Sequence, residues 1–321
     1  MSTASRITSR AARLHAPGEP LVIETVELDP PGEDEVVAQL DFAGVNPIDR
    51  YIAEGRVAPD APLPRTLGGE AAGTVAGRAV LLAGEGLGTA RDGVWAQAAV
   101  VPAAAVIELP DGVEARAAAA MGIAGLTAWN VVRDLAHLRA EDRVLVLGAS
   151  GGVGSLILSL AHAAGATVWG QTGSEAKAGL ITEQGADRVV ISGPDGLSDA
   201  VAELKPTVAF DPLGGEYLAP VVAAIEPRGR IVSFGTSAGP EVTFNLQTLY
   251  RKMASLLGYG GMQLGREERR SGLEAALEAL RDGRLRVPVD EVLALERVNE
   301  AFERLVARQV KGKLVLALGD R

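Results

Sequence analysis

Arg143-Val-Leu-Val-Leu-Gly148-Ala-Ser150-Gly151-Gly152-Val153-Gly154-Ser155 is the stretch whose reading decides the fold. An apolar strand runs straight into a glycine cluster, and an apolar helix follows over Ser155–Ala164. Glycine lets the chain turn sharply and brings backbone N–H groups close to a pyrophosphate. The helix that follows aims the positive end of its dipole at the same phosphate. A glycine triplet alone is a weak signal. Here strand, loop, helix and next strand stand at the distances a dinucleotide-binding unit requires. Gly148, Ser150, Gly151, Gly152, Val153 and Gly154 are therefore the expected phosphate cradle.

Outward from this loop, short apolar strands alternate with helices. Strands are expected at Val144–Leu147, Thr167–Gly170, Arg188–Ile191, Val208–Phe210 and Arg230–Phe234. Helices are expected at Lys177–Gln184, Leu197–Leu204 and Tyr217–Ile225, the first of them capped by Gly185. Such alternation implies a parallel sheet covered by helices on both faces.

The end of the second strand bears on the choice of cofactor. Sites for NAD place a carboxylate there to hold the ribose 2′-hydroxyl. Val168-Trp-Gly-Gln171-Thr-Gly-Ser174 has none. Ser174 can donate to a 2′-phosphate and Lys177 can neutralise it. Glu175 lies between them, where an acid suits the start of a helix. The reading is NADPH.

Before this region the chain is β-rich. Leu21–Leu28, Glu35–Phe42 and Val94–Val101 read as strands between Pro and Gly clusters, with glycine-rich turns from Gly68 to Gly93. Helical spacing begins at Ala115–Gly122 and continues through Thr127–Leu135. After the cofactor region come a helix at Arg269–Arg281, a strand at Val292–Leu295, a helix at Val298–Val306 and a strand at Lys313–Leu318. Met1–Ser9 lacks the apolar stretch of a secretory signal and reads as a short disordered extension.

Composition narrows the classes. The 321 residues suggest two domains. The net charge of −10 repels phosphate backbones, so no nucleic-acid partner is expected. No apolar run reaches the roughly 18 residues of a membrane span, so no membrane partner is expected. There is no cysteine, which removes disulfides, thiolate nucleophiles and cysteine metal sites, and fits a cytoplasmic protein.

Further stretches, in order, carry a family resemblance. They are Gly44-Val-Asn46-Pro47-Ile-Asp49-Arg-Tyr51, Leu67-Gly-Gly69-Glu70-Ala-Ala-Gly73, Gly122-Ile-Ala-Gly125-Leu-Thr127-Ala128, Gly229-Arg-Ile-Val-Ser-Phe234-Gly235-Thr236 and Lys311-Gly-Lys313-Leu-Val-Leu. With the glycine loop they resemble the zinc-free quinone oxidoreductases, zeta-crystallin-like members of the medium-chain dehydrogenase/reductases. That resemblance implies an α/β protein with a GroES-like, β-rich catalytic domain (residues 1–112 and 285–321). A Rossmann domain with a doubly wound parallel sheet (113–284) would be inserted in it, with the active site in the cleft between. It also implies a homodimer joined through the cofactor domains at the edge strand Ala254–Gly260. Thr127 and Phe234–Thr236 would lie beside the nicotinamide, and Asp211 would either reach the cofactor edge or cap a loop. Two departures stand out. Gly73-Thr-Val-Ala-Gly77-Arg78 lacks the family's longer segment, and Ser192 stands where relatives often have Tyr.

In zinc-bearing relatives the metal ligands fall on Asn46, Gly69 and Met121, which do not form a zinc set. His15, His137 and His162 lie outside these motifs. No metal is expected, and the substrate is expected to be a small electrophilic acceptor, a quinone or an α,β-unsaturated carbonyl compound. Hydride would enter the β-carbon of an enone, leaving an enolate to be protonated. Asn46 can donate through its amide, Tyr51 can donate a hydrogen bond or a proton, and Asp49 orients the segment. Asn46 before Pro47 is also a good turn residue, and Tyr51 also suits packing. Two alternatives stand beside this: an enoyl-thioester reductase with Arg50, Arg56 and Arg65 at the mouth of its site, and a low-turnover NADPH-binding sensor.

Overall fold

The computed structural model describes residues 7–319. The chain divides into two units. The first takes residues up to Ala124, Arg266–Arg281 and those from Val289 onward. The second takes Gly125–Gly265 and Asp282–Pro288. The first break thus falls inside a helix rather than at residue 112, and the helix expected at Arg269–Arg281 sorts with the β-rich unit rather than with the cofactor unit.

The first unit opens with strands β1 (Ile7–Leu14), β2 (Val22–Leu28) and β3 (Glu35–Val45), then helix α1 (Pro47–Ala53). Ile7, Thr8 and Ser9 belong to β1, where Ser9 is buried and bonded to Ala98. The expected disordered extension is corrected there, because a paired strand satisfies its backbone. Met1–Arg6 lie outside the described residues. Strands β4 (Arg65–Thr66), β5 (Glu70–Val75), β6 (Arg78–Ala83), β7 (Ala98–Pro102) and β8 (Val106–Glu108) follow. Two of these, β5 and β6, lie in the stretch read as crowded with glycine-rich turns.

Strands β5 and β6 form a hairpin whose loop is only Ala76–Gly77, both at positive φ (48° and 79°). Two positive-φ residues give the turn whose twist matches the flanking strands. Opposite β5, β3 is irregular between Leu40 and Phe42, where it faces Gly73. A Cβ at Gly73 would lie 2.0 Å from the Gln39 carbonyl oxygen, so glycine is obligatory.

Helix α2 (Ala115–Asn130) is longer than the two segments read from sequence and ends in a π-helical turn, Val131–Leu135. The second unit then builds strands β9 (Arg143–Val146), β10 (Thr167–Thr172), β11 (Arg188–Ile191), β12 (Val208–Asp211), β13 (Arg230–Ser233) and β14 (Ser255–Gly258). They form one sheet in the order β11-β10-β9-β12-β13-β14, and every pairing is parallel. The intervening helices are α3 (Gly152–Ala163), α4 (Ala178–Glu183), α5 (Leu197–Ala200), α6 (Leu218–Ala224) and α7 (Leu246–Arg251). The core includes Leu145, Leu147, Leu197, Val201, Leu218, Ile225 and Ile231. Since all strands run the same way, the loops after β9 to β13 share one edge, and the order reverses between β9 and β12. Ligands of open α/β sheets bind at such a point.

After helix α8 (Arg266–Arg281), strand β15 (Val289–Ala294), helix α9 (Val298–Val306) and strand β16 (Lys313–Ala317) complete the first unit. Strand β16 pairs antiparallel with β3, Leu314 with Val45 through Ala317 with Phe42. This pairing brings the end of the chain to the Asn46 segment. Trp95 is fully buried in the same core, 5.7 Å ring to ring from Phe302, with its indole N–H on the Gly44 carbonyl.

Candidate functional site

Each unit carries its own constellation. In the second unit, β9 delivers the chain to Gly148, which turns at φ +54°. A Cβ at Gly154 would lie 2.5 Å from the Gly148 carbonyl oxygen, so the loop closes on its helix only with glycine there. Helix α3 starts at Gly152, and its N-cap Gly151 provides no side-chain cap. The first N–H groups of a helix lack partners within it, so they remain for an anion. Ser150 is buried in this loop, and Val153 lies in the first turn of the helix.

The other expected cofactor residues lie along the same sheet edge. Thr172 Oγ1 accepts the Ser174 N–H (3.2 Å), and Ser174 caps a short turn, Glu175–Lys177. Ser174 and Lys177 are half-buried while Glu175 is exposed. Asp211 is fully buried at the end of β12. Its Oδ1 accepts the N–H groups of Leu213 (2.8 Å) and Gly214 (3.0 Å), a loop cap. Its Oδ2 has no hydrogen-bond partner among the described residues, and burial pushes the carboxyl up from its ordinary range. Phe234, Gly235 and Thr236 follow β13, and a Cβ at Gly235 would lie 2.6 Å from the Pro212 carbonyl oxygen. Thr127 lies half-buried in α2. The close-packed glycines, the open helix start and the orphaned Asp211 oxygen fit a dinucleotide.

In the first unit, Asn46 follows β3 in extended conformation as the N-cap of α1, and Pro47 opens that helix, where a missing N–H costs nothing. Asp49 Oδ2 accepts the Asn46 N–H at 2.8 Å. The Asn46 amide is held at both ends. Its Nδ2 donates to Glu70 Oε1 (2.6 Å), and its Oδ1 accepts from Lys313 Nζ (2.5 Å). Lys313 also donates to Glu70 Oε1 at 3.1 Å, and Glu70 Oε2 accepts the Ile123 N–H. Lys313 is 3% exposed and Glu70 0%. Gly44 and Gly122 make the space, since a Cβ on either would fall 2.0 or 2.3 Å from a Glu70 oxygen. Lys313 is the member of this cluster that sequence reading did not single out. The only signal was a lysine opening an apolar strand.

Tyr51 is half-buried on α1. Its ring lies 4.5 Å from the Arg56 guanidinium carbon and 5.1 Å from that of Arg50. Both arginines also pair with Glu54. Arg65, in contrast, is buried and donates to the Thr89 carbonyl, so it does not line a basic mouth. Burial had priority over charge because its guanidinium finds a carbonyl inside.

A catalytic zinc does not fit this donor set. Asn46 and Glu70 are engaged with Lys313, Gly69 has no side chain, and Met121 is fully buried. No group of three or more His, Cys, Asp or Glu among the described residues is arranged to hold a metal. No helix among them is long and apolar enough to cross a membrane.

Two family descriptions match the chain: "Alcohol dehydrogenase GroES-like domain" over residues 32–111 and "Zinc-binding dehydrogenase" over residues 152–279. The quinone oxidoreductase of Salmonella typhimurium is 31% identical, covering 94% of this chain and 97% of that one. Among solved structures, AibC superposes with a TM-score of 0.88 at 28% identity, covering 98% of this chain and 97% of that one. Mycobacterial Rv1454c, solved with NADPH, gives 0.84 at 25% identity, covering 96% and 99%. The chain belongs to the medium-chain dehydrogenase/reductases, on their quinone oxidoreductase branch. It is an oxidoreductase of that family, which implies a nicotinamide cofactor.

Two outcomes follow from the buried cluster. Replacing Lys313 by Met leaves the Glu70 charge unpaired, and denaturant unfolding should show a loss of about 3–5 kcal/mol. Burial, reinforced by the Glu70 charge, raises Asp49 to about 7 against the N–H bond from Asn46. The folded state therefore keeps a proton that the unfolded state loses above pH 4. Stability should fall as pH rises from about 4 to 7, by up to about 4 kcal/mol, and level off above. Comparing unfolding at pH 5 and pH 8 in the wild type and in Asp49→Asn checks this; the variant should show a much shallower slope, the remainder coming from Asp211, whose carboxyl is also raised by burial.

Proposed function

We propose that the protein is a zinc-independent, NADPH-dependent reductase of quinones or α,β-unsaturated carbonyl compounds. The observation that carries this reading is the buried Lys313–Glu70–Asn46 network, which occupies Asn46, one of the three positions (with Gly69 and Met121) onto which the resemblance maps the zinc ligands. A site so committed has no Lewis acid to activate an alcohol, and an acceptor that is already electron-poor needs none. The bound nicotinamide supplies the hydride.

The protein's own groups do the rest. Asn46 has one N–H bonded to Glu70 and a second left to donate to an acceptor oxygen. Its amide oxygen faces the Lys313 charge, which polarises the amide and strengthens that second donor. Tyr51 is a second donor, its ring held by Arg50 and Arg56. Asp49 fixes the backbone of Asn46 through the cap. Ser174 and Lys177 hold the 2′-phosphate, with no carboxylate at the end of β10 to favour NAD. The enoyl-thioester alternative loses one arginine, Arg65, to the interior, and Glu54 offsets the other two.

The test is consumption of NADPH, and separately of NADH, under nitrogen with a benzoquinone, a naphthoquinone, a simple enone, an aldehyde and crotonyl-CoA. Turnover with quinone or enone is expected. Lys177→Glu should raise the KM for NADPH by roughly tenfold or more, at about 1.4 kcal/mol per decade, and leave NADH little changed. Equal use of both cofactors by the wild type would sink the phosphate-pocket assignment, and turnover confined to crotonyl-CoA would move the protein to the enoyl reductases.

We also propose a homodimer joined through the second unit. Among the described residues, strand β14 pairs on one side only, with β13. Near it in sequence, Leu246, Tyr250, Met253 and Met262 are each at least 60% exposed. An open strand edge flanked by apolar side chains invites pairing. Sedimentation should give a dimer, and Leu256→Glu should shift it to monomer.

A further inference from the structure

Gln171 is the fifth of the six residues of β10 and 1% exposed. A buried primary amide must place both its ends, and Gln171 places them on two different loops of the carboxyl edge. Its Oε1 accepts the Gly148 N–H (3.1 Å), and its Nε2 donates to the Ser192 carbonyl (2.6 Å). Its own backbone carbonyl accepts the Ala149 N–H at 2.9 Å.

Two successive amides of the glycine loop therefore turn back onto one residue. The regular pairing of β9 with β10 ends at Val146 and Gly170. Leu147 next donates to Phe210, on the opposite side of β9. Gly148 and Ala149 then swing to Gln171, and the chain reverses at Gly148. The amides that follow, at the start of α3, are the ones left for a pyrophosphate. On the other side, regular pairing of β10 with β11 ends at Thr172 and Ile191. The Gln171 amide holds Ser192, the first residue beyond, alongside the Ser192 N–H on Thr172. Ser174 and Lys177 follow from that same strand end.

We propose that Gln171 is a positioning residue for the cofactor, an amide clasp between the pyrophosphate loop and the loop after β11. It touches neither phosphate. It sets the loop curvature by consuming the two amides that would otherwise compete, and it ties down the loop beside the ribose side of the cradle. The inference rests on the nicotinamide dinucleotide occupying the glycine loop.

The experiment is isothermal titration of the full chain with NADPH and with NADH, joined to steady-state kinetics. Gln171→Leu removes both side-chain bonds. Dissociation constants for both dinucleotides should rise roughly tenfold, since two neutral hydrogen bonds are lost, with most of the kinetic loss in KM rather than kcat. Gln171→Glu provides a second variant should Gln171→Leu fail to fold. As a carboxylate it accepts from Gly148 but repels the Ser192 carbonyl. As a neutral acid it can both accept and donate, so its affinity, relative to wild type at the same pH, should recover as pH falls. A purely structural role would not follow that titration. Wild-type binding matched within twofold by Gln171→Leu, or Gln171→Glu showing no recovery at low pH, would overturn the clasp alone. Wild type that binds neither dinucleotide would overturn the cofactor reading and the clasp with it.

Discussion

A lysine with almost no access to water has to find its partners within the protein. Lys313 finds them in Glu70 and Asn46, and that requirement organises the first unit. It brings β16 against β3, sets Glu70 at the head of β5, and holds Asn46 where β3 passes into α1. The residues come from three separate parts of the chain, one of them 267 positions from Asn46. Desolvating such charges costs more than most hydrogen bonds return, so the arrangement survives only because every polar contact is made together. Gly44 and Gly122 keep the space open, and the π-rich floor of Trp95 and Phe302 closes the core elsewhere.

The second unit follows a different logic. Parallel strands place all their carboxyl ends on one edge, so five loops far apart in sequence share that edge. The glycines let the first of these loops close on its helix, the start of α3 offers its amides, and Asp211 caps the fourth loop while leaving one oxygen without a partner among the described residues. Backbone curvature, more than side-chain chemistry, makes this cradle. That is why a buried amide such as Gln171 matters to it without facing the ligand.

The alternation of strand and helix from Arg143 onward was legible in the sequence because its periods are local. The glycine loop was legible because only a few backbone paths admit a pyrophosphate. Less was legible in the β-rich part. The hairpin β5–β6 was hidden under a run of glycines, and its turn depends on Ala76 adopting a positive φ, which alanine rarely does. Strand β1 was hidden at the start of the chain, since its pairing with β2 and β4 is not a local property. Arg65 looked like a surface cation, and only folding showed that it bonds an internal carbonyl.

Sequence by itself determined the class of the second unit, the glycine loop between β9 and α3 and the missing carboxylate at the end of β10. These depend on residue type and short spacing, which the chain carries openly. Only the tertiary structure decided that Lys313 joins Asn46 and Glu70, that Asp49 lies deep enough to hold its proton to about pH 7, and that Gln171 spans two loops. The physical reason is the same in each case. Burial and hydrogen bonding between distant segments are properties of the packed chain, and no local pattern encodes which buried polar group will meet which.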